Sequence, residues 1–70
     1  MNSIYTSKNS LVVEKVIWSG VCRYVKHMDG TYENFYRANT ETKFTKTGWG
    51  KRAARDFQIA FNSVKAELDH

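Results

Sequence analysis

The chain has no proline and a single cysteine, Cys22, among 70 residues. One cysteine excludes an internal disulfide, and the two histidines, His27 and His70, form no zinc-ligand spacing with it. Small domains without such staples rely on close packing or on a second subunit. A chain this short buries only about 60–65% of the surface its unfolded form exposes, so roughly one or two kcal/mol matters to it. Long hydrophobic runs are missing too. The longest are Leu11-Val12-Val13 and Val16-Ile17-Trp18, far below the roughly 18 residues of a membrane span. Met1 to Ser10 is mostly polar, with no apolar h-region, so no signal peptide is expected. The lone cysteine then makes a reducing cytoplasmic compartment the default.

What is present is basic and aromatic. The net charge is +4, the pI about 9.4, and there are four Tyr, four Phe and two Trp. That many rings with no proline argue against a disordered chain. Acidic residues are absent from Thr42 to Arg55, which holds Lys43, Lys46, Lys51, Arg52 and Arg55. Phe44 and Trp49 interleave with these cations, and Gly48 and Gly50 loosen the middle.

The pattern predicts an α+β fold: an antiparallel β-meander of three or four strands, then one C-terminal amphipathic helix packed on one face. Residues 1–70 form one domain, with 1–10 a loosely ordered arm, 11–47 the sheet and 50–68 the helix. Leu11 to Trp18 is rich in β-branched residues, Ser19-Gly20 reads as a two-residue turn or as a bulge within one long strand, and Val21 to Met28 is a second strand. Asp29-Gly30 predicts a two-residue type I′ turn leading into Thr31 to Ala38. That turn sets Lys26 across from Glu33 and Tyr24 across from Phe35. On this register Tyr32 and Tyr36 share a face with Val12 and Val25, and Phe35 shares the other with Val13 and Tyr24. Both faces are apolar and one helix covers only one of them, so the other is expected to be a homodimer interface or a binding surface. Ala53, Ala54, Phe57, Ala60, Phe61, Val64 and Leu68 recur at helical spacing, with Thr47 as the N-cap.

Catalytic chemistry finds little support. Cys22 and His27 are an odd number of residues apart on one strand, which points them to opposite faces. The acids are scattered without the pairing that acid–base work needs. No enzyme activity, cofactor or metal is expected. Gly48-Trp49-Gly50-Lys51-Arg52 invites comparison with a phosphate loop, but Thr45 stands where that motif needs glycine and Arg52 where it needs Ser or Thr.

What survives is the position of the basic run at a helix start. Lys51, Arg52 and Arg55 oppose the helix dipole there, while Glu67 and Asp69 oppose it at the other end. Cations that work against their own helix suit an external anion; the plain alternative is that the glycines make a turn and the cations are a solvated face. The leading expectation is a non-catalytic nucleic-acid-binding protein, DNA or RNA. Lys43, Lys46, Lys51, Arg52 and Arg55 hold phosphates, and Trp49, Tyr32 and Tyr36 add stacking. The plain alternative for each tyrosine is a core residue of a small sheet. The alternative function is a protein–protein interaction module, such as a small phage or mobile-element inhibitor or adaptor, meeting an acidic protein surface.

Two resemblances bear on the fold. The order of a β-meander followed by one helix resembles the DNA-binding modules of plant ethylene-response factors and of integrase arm-binding domains. Their Trp and Gly pattern is absent here. Ala38-Asn39, Glu41, Thr45, Gly48-Trp49, Ala53-Ala54 and Ile59 are similar to the strand–turn–helix part of the YegP-like repeat, over residues 38–64. That resemblance implies a fold and no established activity.

Overall fold

The structure, a computed structural model, describes residues 1–70. Five antiparallel strands run in sequence order across one sheet: β1 (Ser3–Ser7), β2 (Ser10–Ile17), β3 (Gly20–His27), β4 (Tyr32–Ala38) and β5 (Thr45–Trp49). A single helix, α1 (Gly50–Leu68), follows and packs against all five. The class is α+β as expected, with one strand more than the upper expectation.

The extra strand is β1. The segment expected to be a loose arm pairs with β2 from Ser3↔Glu14 to Ser7↔Ser10. Its polar composition hides it, because an edge strand needs only one apolar side to the core. Ile4 supplies that side and packs against the core cluster. Asn2 fastens the same end: its Oδ1 accepts from the Val16 amide at 2.7 Å, and its Nδ2 donates to the Glu67 carboxylate at 2.9 Å.

Strand alternation puts Ile4, Leu11, Val13, Tyr24, Tyr32, Asn34 and Tyr36 on the helix side of the sheet. The helix answers with Ala53, Phe57, Ala60 and Val64, all buried. Val13, Phe57, Ala60 and Val64 form the core cluster, with Tyr32, Tyr24 and Phe61 against it. Ile59 and Leu68 point away and are exposed.

The β3–β4 hairpin departs from the expected register by one residue. Lys26 lies across from Tyr32, Val25 from Glu33 and Arg23 from Phe35. The cause is the turn. Only Gly30 takes positive φ (89°), and Asp29 does not. The Gly30 amide donates to the His27 carbonyl and the His27 amide to the Thr31 carbonyl. The loop therefore has three residues and ends in a left-handed glycine, instead of the two-residue turn. A slip of one residue exchanges faces. Tyr32 and Tyr36 move to the helix side, and Phe35 to the open side.

The β2–β3 turn is also displaced by one residue. Ile17 pairs with Gly20, so Trp18 and Ser19 are the turn residues. Neither has positive φ, so the turn lacks the backbone twist that favours tight hairpins. Neighbours hold it instead. The Tyr36 hydroxyl bonds to the Ser19 carbonyl at 3.1 Å and to Ser19 Oγ at 2.9 Å. Asn39 closes the other side, its Nδ2 donating to the Trp18 carbonyl and its amide to the Ser19 carbonyl. Gly20 must be glycine, because a Cβ there would stand 2.2 Å from the Arg37 carbonyl oxygen. Gly20→Ala is expected to force β3 from β4 and cost about 1–3 kcal/mol, read as a lower urea midpoint with an unchanged m-value.

Candidate nucleic-acid interface

The basic run occupies one edge of the molecule. β5 is an edge strand, and α1 starts directly from its end. Lys43 lies in the loop before β5, Lys46 on β5, Trp49 at the helix N-cap, and Lys51, Arg52 and Arg55 in the first turns of α1. All six are exposed. Lys43 and Lys51 sit at opposite ends of β5, separated by on the order of 13 Å of strand at about 3.3 Å per residue. Lys51, Arg52 and Arg55 surround one shallow depression together with Asp56 and Ile59, and Lys43 lies beyond the far end of β5.

Of the five cations, only Lys46 has an acidic partner. Its Nζ lies 2.9 Å from Glu33 Oε2. Lys43, Lys51, Arg52 and Arg55 make neither an ion pair nor a side-chain hydrogen bond. The helix start itself carries no compensation. Its first turn has no acidic residue, and Trp49 caps it without a side-chain hydrogen bond. Thr47, the expected cap, is instead the extra residue where the β4–β5 pairing jumps from Asn34↔Gly48 to Phe35↔Lys46. This bulge has a consequence for the site. Residues three apart on a regular strand face opposite ways, but the inserted residue turns Lys46 and Trp49 to the same side. Lys46 Nζ then rests 5.6 Å from the Trp49 ring centroid.

Trp49 remains 70% exposed. It forms one wall of a cleft of about 1170 Å³ between the Met28–Gly30 loop and the start of α1. Tyr32, Met28 and Ala54 contribute further apolar surface, and Lys46 and Lys51 contribute charge. Of the two tyrosines expected to stack, Tyr32 therefore borders the cleft, although its ring also packs edge-on against Phe57 at 5.6 Å. Tyr36 is elsewhere, engaged with the Ser19 turn.

The open sheet face is not the bare apolar surface expected for a dimer. Two chains of polar contacts cross it and cover Val12 and Val25, which are buried beneath. In one, the Tyr5 hydroxyl donates to Glu14, which also takes Arg23 Nε at 2.7 Å. The Arg23 guanidinium lies 3.8 Å from the Phe44 ring centroid. Burial, then the Glu14 carboxylate, raises the Tyr5 pKa.

In the other chain, His27 Nε2 lies 2.6 Å from Glu33 Oε1, and Ser10 Oγ lies 2.9 Å from His27 Nδ1. A carboxylate can only accept, so Nε2 carries the proton. Ser10 and His27 are direct cross-strand partners, and Ser10 does not line the cleft. The contact braces two strands. Lys46, then His27, holds the Glu33 carboxyl below its ordinary pKa. A lowered folded-state pKa stabilises the fold above the unfolded value, and this stability is lost as pH falls through the folded value. Glu33→Gln should therefore lower the urea midpoint near neutral pH, with the difference from wild type starting to shrink as pH falls past the ordinary glutamate value of about 4.3 and vanishing only below the lowered folded-state value. A difference independent of pH would contradict the assignment.

One buried polar atom lies under the helix. Asn34 Nδ2 donates to Asp56 at 3.2 Å, while Asn34 Oδ1 has no partner. This bond also holds Asp56, the acid nearest the helix cations in sequence, against the sheet.

No protein family, curated protein or solved structure matches this chain. The YegP-like and DNA-binding-module resemblances accordingly carry no argument about its activity.

Proposed function

We propose that the protein binds nucleic acid without catalysis, along the edge formed by β5 and the first turns of α1. The observation that carries this reading is that Lys43, Lys51, Arg52 and Arg55 line that edge with no acidic partner. Two of them, Lys51 and Arg52, stand in a first helical turn that like charge disfavours. An ordinary solvated surface would mix both signs of charge and place acids in the first helical turn. A phosphate backbone supplies the missing anions, and exposed Trp49 adds a ring on which a base can stack. Fluorescence anisotropy with a labelled oligonucleotide tests the reading. Affinity should fall steeply as salt rises from about 50 to 200 mM. Salt-independent binding, or none, would overturn it.

A protein-docking role is the second reading, and a different place favours it. Trp18 is 94% exposed on the clamped β2–β3 turn, and neighbouring Val16 and Ile17 are exposed too. A rigid turn presenting an indole resembles the aromatic anchor of a protein interface, since ordering costs little on binding. Trp18→Ala separates the readings: it should leave nucleic-acid affinity unchanged and abolish a docking role.

A further inference from the structure

The cleft beside Trp49 has features that a phosphate-binding edge alone does not require. Its apolar lining is an indole, the Met28 side chain and the borders of Tyr32 and Ala54, set among polar His27, Asp29, Thr31 and Glu33. Met28 is largely exposed, although it sits at the tip of a structured loop. Lys46 approaches the Trp49 ring, and no other aromatic or cationic group lies against that ring. An indole left available beside an apolar wall, with ammonium groups at the mouth, suits a flat ring attached to a phosphate.

We propose that this cleft takes one unstacked base of a single-stranded nucleic acid, sandwiched between Trp49 and the Met28–Gly30 loop. The strand's backbone follows Lys51, Arg52 and Arg55 outward. The inference rests on the nucleic-acid reading above and narrows its ligand class. A duplex keeps its bases stacked and paired, and extruding one costs a few kcal/mol that a single strand does not spend. The carboxylates of Asp29 and Glu33 also border the cleft. They disfavour a second phosphate backbone there but can accept hydrogen bonds from base amino groups.

The test uses a fluorescent mixed-sequence 12-mer, as a single strand and as its duplex, with wild type, Trp49→Ala, Trp49→Phe and Trp18→Ala. Wild type should bind the single strand about tenfold or more tighter than the duplex. Trp49→Ala should weaken single-strand binding by about 5- to 100-fold, the range for loss of one stacked base, and leave duplex binding unchanged. Trp49→Phe should restore most of the loss, which a folding defect would not allow. Trp18→Ala should match wild type. Equal or tighter duplex binding, or a Trp49→Ala variant that binds the single strand normally, overturns the cleft while leaving the basic edge standing. No binding to either form overturns both.

Discussion

Replacing Lys51, Arg52 and Arg55 together by alanine should remove most nucleic-acid affinity while leaving the fold as stable as before, or more so. The two effects have opposite signs because the cations serve different masters. Lys51 and Arg52 sit in the first turn, at the positive end of the helix dipole, where a charge of the same sign costs about 0.3–1 kcal/mol when exposed, while Arg55 stands a turn further in. None recovers that cost inside the molecule, since none has an acidic partner. Their removal should hold or raise the urea midpoint. Binding should respond through counterion release, weakening by about 0.7 of a logarithmic unit per phosphate contact for each tenfold rise in salt for a single strand. With Lys43, Lys51, Arg52 and Arg55 all engaged, a fourfold rise in salt should weaken wild type by about 50-fold. With Lys43 alone left, the same rise should weaken the variant by only about threefold. A variant that loses stability together with affinity would mean that the cations hold the fold, against the present account.

Phe57→Ala should have the largest effect on stability. Phe57 is buried at the middle of the core cluster with Val13, Ala60 and Val64. Its ring meets Tyr32 edge-on at 5.6 Å and stacks on Phe61 at 5.9 Å. It is the largest side chain in a cluster whose other buried members are Val and Ala. Truncation of a buried phenylalanine typically costs about 3–5 kcal/mol. A domain of this length has only roughly 4–10 kcal/mol in total. The variant should therefore be partly or wholly unfolded at room temperature, seen as lost near-ultraviolet circular dichroism and a urea transition shifted toward zero denaturant. A wild-type-like transition would mean that the helix does not supply the core of this sheet.

The helix was the most legible element. Its apolar stripe and the glycine before it place it over residues 50–68, where it stands. The meander was legible because β-branched runs alternate with turn residues. Three things were not. β1 is a polar edge strand whose single inward residue, Ile4, produces no pattern. The Asp29-Gly30 turn was visible but not its length, because only Gly30 takes the left-handed conformation. That one residue decided which face Tyr32 and Tyr36 occupy. Ser19-Gly20 marked the β2–β3 turn, but its placement one residue earlier, at Trp18-Ser19, depends on Tyr36 and Asn39, far along the chain. At the site, adjacency in sequence was enough to put the cations on one edge. It could not show that Glu33 occupies Lys46, that a bulge at Thr47 turns Lys46 toward Trp49, or that the β3–β4 loop makes a cleft with the helix start. Those are cross-strand facts.

Amide chemical-shift mapping during titration with a single-stranded 12-mer tests the central claim most directly. The account predicts the largest shifts between Lys43 and Arg55 and at the Trp49 indole N–H. Smaller ones should appear in the Met28–Gly30 loop, and none at the Trp18 indole. Shifts centred on Val16, Ile17 and Trp18, or no shifts at any oligonucleotide concentration, would contradict it.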